Sequence, residues 1–467
     1  MLSVDSRDMD NSPDDVAAGS TQDVFYRSGS VVPLPMIDRA SGIYMWDEEG
    51  NEYIDASSGP MVNAIGHGNE AVVEAMSRQA RRLDYAYTRV ARNRPNLEYV
   101  NRLASLAGPG FERISLSSGG SEAVEAAVKF LRTYAVATGQ GSRRRVISLM
   151  PSYHGATVTA AAMSGDDSVA ILLDGFTVVS DKVPAPMSYR LPADHTPTSY
   201  ALHCAEMLEA KIVELGPENV LAFIIEPVGG LSTGAVVPPP EYFRSIREIC
   251  SRHGVYLVFD EVLCGAGRSG KFVAAHHWRD ALPDVIVMAK GLGAGYTPLG
   301  ATFMPASMVD ELAELGGFES SYSYNANPIS CAAGLAVLDE FDRLDLTGRA
   351  THVGALLSQG LEAIKDRSSI LGDVRGMGML LAVEMVADKE TKTPLPADAI
   401  PTERIRIHGL ANGVMLYSRQ TSGGRYGHWF MVTPPLTISD DECFEVLRRT
   451  EAAVEGLYDE LRTEGVL

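Results

Sequence analysis

The chain has 467 residues, 45% hydrophobic and 21% charged, enough to bury a large core and to hold more than one domain. Forty Lys and Arg against 60 Asp and Glu give a formal charge of −20, which opposes binding to nucleic-acid backbones and to anionic membrane surfaces, so neither partner is expected. No apolar run reaches the roughly 20 residues of a membrane helix, no basic-then-apolar leader opens the chain, and five widely spaced cysteines point to free thiols; a cytoplasmic protein without a metal site is expected.

In chain order, residues 1–25 are rich in Asp, Ser and Gly and are expected to form a flexible acidic tail. The text "GIYMWDEEGNEYIDASSG" that follows Ser41 places β-type runs on either side of Glu48-Glu49-Gly50-Asn51, the signature of a hairpin. Between Asn69 and Leu83, Val72, Val73, Met76 and Ala80 recur at helical spacing. In "LSSGGSEAVEAAVKF", Ser117 to Ser121 open an amphipathic helix. Gly119 and Gly120 let backbone amides approach an anion there, although a plain N-cap by Ser121 fits the same letters.

The runs "RVISLM", "LAFIIEPV", "VYLVFDEV" and "DVIVMAKG" read as buried parallel strands, continuous in apolarity because helices cover both faces of such a sheet. Tyr153 and His154 follow the first run, where an aromatic ring can stack on a planar cofactor. Asp260 and Glu261 end the third run and Lys290 ends the fourth. In an open parallel sheet, ligands sit beyond the carboxyl ends of the strands. A lysine amine and a carboxylate on two such ends suit a pyridine cofactor, one to condense with its aldehyde and the other to hold its ring nitrogen protonated. On its own the pair fits a structural ion pair at a sheet edge better, and further motifs decide. After Leu335 the pattern shifts to a helix over Val353–Lys365, strands near Met379–Met385, a polar loop and a terminal helix from Ser439, a second, smaller domain.

Taken together, "MWDEEGNEYIDASSG…IGHG", "SSGGSEAVEAAVKF", "SYHGAT", "IIEPVGG", "VFDEVLCGAGRSGKF", "PDVIVMAKGLGAGYTPLGA" and "SYSYNANPISCAAG" resemble, in order, the class III (ω-type) aminotransferases of fold type I. The resemblance runs from about Gly42 to the C-terminal helix. It implies an α/β fold whose large domain carries a mainly parallel, seven-stranded-type sheet flanked by helices, beside a smaller α+β domain drawn from both chain ends. Residues 26–74 and 336–467 would form the small domain and 75–335 the large one. It implies pyridoxal 5'-phosphate as cofactor, held by Lys290 as a Schiff base, with Asp260 at the pyridine nitrogen. Val262 and Tyr153 would pack the two ring faces, and Ser118, Gly120 and Ser121 would hold the phosphate. His154 and Glu226 would complete the site, Glu226 near the ring hydroxyl and the substrate amine. Ser323, where the family usually carries Thr, would reach the phosphate of a neighbouring subunit in a homodimer.

The implied reaction moves an amino group from an amine or amino-acid donor to a keto or aldehyde acceptor by way of the pyridoxamine form of the cofactor. Racemisation, aminomutation or decarboxylating transamination is the alternative within the family. A dinucleotide-binding oxidoreductase, suggested by "GLGAG", fails because the glycines follow Lys290 late in the chain without the full fingerprint. The chain departs from the common family pattern in three ways. Leu263 stands where many members carry Gln, Ser118-Gly119-Gly120-Ser121 replaces Asn-Ser-Gly, and the carboxylate-binding Arg is offered by Arg425 or, less suitably, Arg419. Met61 and Val62 are expected on an apolar wall of the substrate entrance, and Leu263 with the displaced Arg suggests a specialised substrate, as in secondary metabolism.

Overall fold

The computed structural model describes residues 34–174 and 180–467. The acidic tail expected over 1–25 lies outside the described residues. Strands β1 (Ile37–Ser41), β2 (Tyr44–Asp47) and β3 (Glu52–Asp55) form an antiparallel meander. The expected hairpin closes at Asp47, whose carboxylate accepts from the Asn51 backbone and side-chain amides at 2.7 and 2.9 Å. The next helix, Glu70–Arg82, is capped by the Asn69 side chain and carries Arg81 and Arg82 in its last turn, where cations oppose the helix dipole.

The central sheet contains β4 (Arg113–Ser117), β5 (Arg145–Met150), β6 (Ser180–Pro184), β7 (Val220–Ile225), β8 (Tyr256–Asp260), β9 (Val285–Met288) and β10 (Gly300–Met304). Their order is β4-β10-β9-β8-β7-β5-β6, with β10 antiparallel to both neighbours and the remaining pairs parallel. The seven strands match the expected fold. Alternate residues serve two cores. Phe223, Leu257, Phe259 and Ile286 pack with helices Arg94–Ala107, Pro197–Leu215 and Pro240–His253, while Leu221, Val258, Val285 and Val287 pack against Val124, Phe130 and Leu131 of helix Gly120–Ala137. Double coverage explains why β7 and β9 are apolar at every position.

Beyond the sheet, helices Pro328–Arg343 and Leu346–Arg367 lead to β11 (Leu371–Met377), β12 (Leu380–Asp388), the two-residue β13 (Thr393–Pro394), β14 (Val414–Met415), β15 (Tyr417–Ser418) and β16 (His428–Val432). A third sheet has the order β11-β12-β16-β15, and β14 returns to pair with β3 in parallel. The terminal helix Asp440–Thr463 starts at Ser439 with a reciprocal capping box to Glu442. It packs with Leu346–Arg367 over a core that includes Val383, Phe430 and Leu457. Among the described residues no helix is long and apolar enough to cross a membrane.

Candidate active site

The carboxyl ends of β4, β5, β7, β8 and β9 and the segment entering β10 wall a cavity of about 410 Å³. Asp260, the last residue of β8, is 4% exposed. Its Oδ1 accepts from the Val262 amide at 3.1 Å, and its Oδ2 lies 2.8 Å from Nδ1 of the buried His154. The other ring nitrogen of His154 has no partner among the described residues. Glu226 follows β7 and accepts from the amides of Tyr153 at 3.0 Å and Gly230 at 2.9 Å. Burial pushes its carboxyl up to about 7 against the opposing pull of His154.

Lys290 stands two residues beyond β9 in the left-handed region, φ +45°, a conformation that costs a non-glycine residue energy and recurs at functional sites. Its Nζ donates to the Pro60 carbonyl at 2.8 Å. Burial lowers the amine to about 8, and does so although Asp260 and Glu226 favour the protonated form; Arg268 adds a smaller push downward. Desolvation is therefore the greater cause of the lowering, and neighbouring positive charge the lesser.

Helix Gly120–Ala137 begins at the cavity with Gly119 as its cap and no side chain on its N-terminal amides. Ser121, read alternatively as the cap, lies inside the first turn and accepts from the Ala156 amide at 3.0 Å. A Cβ on Gly120 would stand 2.9 Å from Val262 Cγ1, so glycine is what lets this helix end meet Val262. Opposite, the strap carrying Pro60 and Val62 is held by the buried Arg268, which donates to the Ser58 hydroxyl and to the carbonyls of Asn63, Thr433 and Pro434.

The cavity brings together Ser118, Gly120, Ser121, Tyr153, His154, Glu226, Asp260, Val262 and Lys290. Three other candidates stand elsewhere. Met61 is buried in the core while its neighbours Pro60 and Val62 face the cavity. Ser323 lies on an exposed turn, where its carbonyl accepts from the Tyr85 hydroxyl at 2.8 Å. Arg425 points outward with a 66% exposed side chain, 3.6 Å from Asp167, and it is Arg419 that lines the cavity. Sequence reasoning missed Leu231, Thr297 and Tyr417, which come from loops and a two-residue strand that carry no periodic signal. Leu263 does line the wall, packed where a Cβ on Gly230 would meet its Cδ1 at 2.5 Å.

A family model described as aminotransferase class-III matches residues 25–454. The diaminobutyrate–2-oxoglutarate transaminase of Halomonas elongata is 32% identical over 93% of this chain and 93% of its own. The leucine/methionine racemase of Thermococcus litoralis is 32% identical over 92% of this chain and 93% of its own. The crystal structure of an amine transaminase from an uncultivated Pseudomonas species, in its pyridoxal-phosphate-bound form, superposes with a TM-score of 0.87 at 33% identity, covering 94% of this chain and 100% of that one. The residues present fit that cofactor. An uncapped helix N-terminus suits a phosphate, a partly desolvated amine suits an aldehyde, and a buried carboxylate backed by His154 suits a protonated pyridine. This chain belongs to the class III aminotransferases, and it is a transaminase of fold type I that uses pyridoxal phosphate.

Proposed function

We propose that Lys290 and Asp260 carry the chemistry of amino transfer in this cavity. The supporting observation is that two adjacent parallel strand ends, β8 and β9, offer a carboxylate and a partly desolvated amine to one space walled by an uncapped helix N-terminus. Bound pyridoxal phosphate supplies an electron-accepting ring conjugated with the carbon–nitrogen bond of the substrate. Lys290 Nζ holds the cofactor and then takes a proton from the substrate carbon and returns it, a task suited to an amine that titrates near 8. Asp260 keeps the proton on the pyridine nitrogen, and His154 orients Asp260 through the 2.8 Å contact. Ser118, Gly120 and Ser121 take the phosphate; Tyr153 and Val262 enclose the ring; Glu226 faces the substrate amine.

The substrates are those of an ω-type enzyme. Pro60, Val62, Leu231 and Leu263 form apolar walls, and Arg419 is the cation that meets a substrate carboxylate. A racemase, as one relative is described, returns the proton to the same carbon and releases no carbonyl product. Keto product formed in proportion to donor consumed separates the two reactions. The working unit is a homodimer, supported by the exposed apolar side chains of Leu83, Tyr85, Val90 and Tyr324, of which Tyr85 and Tyr324 meet beside Ser323, which then reaches the neighbour's phosphate site. A small domain of 26–74 and 336–467 around a large domain of 75–335 accords with the pairing of β14 with β3. Five unpaired, buried cysteines accord with a reducing, cytoplasmic setting.

Borohydride reduction of the holoenzyme, proteolysis and mass spectrometry test the assignment. The reduced cofactor is expected on Lys290 alone, with Lys290→Ala unlabelled. Label on any other lysine of the wild type overturns it.

A further inference from the structure

Among the described residues that line the cavity, Lys290 is the one lysine and Arg419 the one arginine, and Arg419 is already engaged. Its Nη2 lies 3.0 Å from Asp166 Oδ2, and its guanidinium stacks 5.4 Å from the centre of the Tyr153 ring. The Asp166 side chain is 2% exposed and that of Arg419 35%, so solvent reaches the pair from the Arg419 side alone. The other oxygen of Asp166 serves the backbone. It caps helix Asp167–Leu172 by accepting from the Ser168 amide at 3.1 Å and hydroxyl at 2.7 Å, and it accepts from the Ser422 amide at 3.2 Å. Ser422 in turn accepts from the Asp167 amide at 3.1 Å. One carboxylate thus divides its work, with Oδ1 fixing the loop that carries Arg419 and Oδ2 neutralising Arg419 itself.

A transaminase admits two different substrates to one pocket in turn. A substrate with a carboxylate needs a free guanidinium, whereas one without leaves that cation to be balanced by the protein itself. From this division of work we infer that Asp166 is a specificity-determining positioning residue, competing with the substrate carboxylate for Arg419 and so setting the balance between carboxylate-bearing and uncharged substrates. The inference rests on the reading of Arg419 as the carboxylate-binding group. Asp166 does not touch the reacting atoms and acts only through Arg419.

Two oxyamines that trap pyridoxal phosphate whatever the natural substrate provide the test: aminooxyacetate, which carries a carboxylate, and methoxyamine, which does not. Their capture rates by the holoenzyme are followed by the cofactor's absorbance at low salt. Asp166→Asn keeps an efficient capping side chain and removes the charge. It is expected to raise the aminooxyacetate-to-methoxyamine rate ratio about tenfold, the size of a modest change in one charged contact, with methoxyamine capture unchanged. Arg419→Ala is expected to lower the ratio and to abolish the effect of Asp166→Asn in the double variant. If Asp166→Asn fails to accumulate as folded protein, Asp166→Ser retains a cap and is read the same way. A lowered ratio in Arg419→Ala together with an unchanged or lowered ratio in both Asp166 variants overturns the inference alone. A ratio indifferent to Arg419→Ala overturns the carboxylate reading and the inference with it.

Discussion

The Lys290 amine, lowered from its ordinary 10.5 to about 8, makes capture of the cofactor by the apoenzyme strongly pH-dependent in a stated window. At pH 7.5, about a quarter of such amines are unprotonated, against about one in a thousand for an ordinary lysine, an advantage of roughly two hundredfold. Below pH 8 the uptake rate is expected to rise about tenfold per unit and then to level off near 9. Rates are measured by stopped-flow absorbance after mixing apoenzyme with pyridoxal phosphate, and each is divided by the rate per unprotonated amine of a lysine-containing peptide at the same pH, which removes the cofactor's own ionisations and keeps that of Lys290. Because Asp260 and Glu226 favour the protonated amine, Glu226→Gln is expected to move the break to lower pH. The linkage sign is also fixed. A lysine whose folded value lies below its unfolded value makes the apoprotein more stable as pH rises between the two, here from about 8 toward 10.5. A normalised rate that climbs without a break to pH 10 refutes desolvation as the controlling cause.

Three substitutions probe the frame around that amine. Gly120→Ala puts a Cβ 2.9 Å from Val262 Cγ1 and 3.1 Å from Cγ2. It is expected to weaken cofactor retention on dialysis by about 1–3 kcal/mol, with Val262→Ala on the same background relieving the crowding. Gly165→Ala meets backbone instead, 2.2 Å from the Leu149 carbonyl and 2.9 Å from Met150 Cα, in the bridge to Ser152 that precedes Tyr153 and His154. No side chain can yield there, so a loss of about 3 kcal/mol or more is expected in urea unfolding. Arg268→Lys surrenders the fork that reaches both the strap and the 433–434 backbone. An unfolding loss of roughly 2–4 kcal/mol, without any change in the borohydride-labelled residue, is expected.

Asp260 and Lys290 stand out in the sequence as charges directly after unbroken apolar runs in a sheet covered on both faces, but it is the run of accompanying motifs, not the pair, that points to the roles proposed for them. The hairpin at Asp47–Asn51, the Asn69-capped helix and the Ser439 capping box were legible because local hydrogen bonds decide them. The direction of β10 was not. Only residues 289–299 separate β9 from β10, too short a link for the helical crossover a parallel neighbour needs, so the chain turns back and pairs antiparallel. That reversal sends Thr297 and Leu299 into the cavity, where no periodicity announces them. Met61 failed for a complementary reason. In the strap Ser58, Gly59 and Met61 all have positive φ, so alternation along the segment does not predict which side chains face inward.

The choice between Arg419 and Arg425 shows what the letters alone leave open. Both lie in one Gly-rich segment, and guanidinium chemistry does not separate them. The backbone does. Ser422, Gly423 and Gly424 all take positive φ, reversing the chain within a few residues, so that Arg419 faces the cavity and Arg425 faces solvent. The reversal is held by contacts between Ser422 and the Asp166–Asp167 pair, residues more than 250 positions earlier. A long-range pairing of two polar loops has neither a hydrophobic period nor a cap signature in the sequence. The group proposed to meet a substrate carboxylate is therefore set by the part of the fold that local rules reach least, whereas the pair proposed to carry the chemistry sits at strand ends that they reach well.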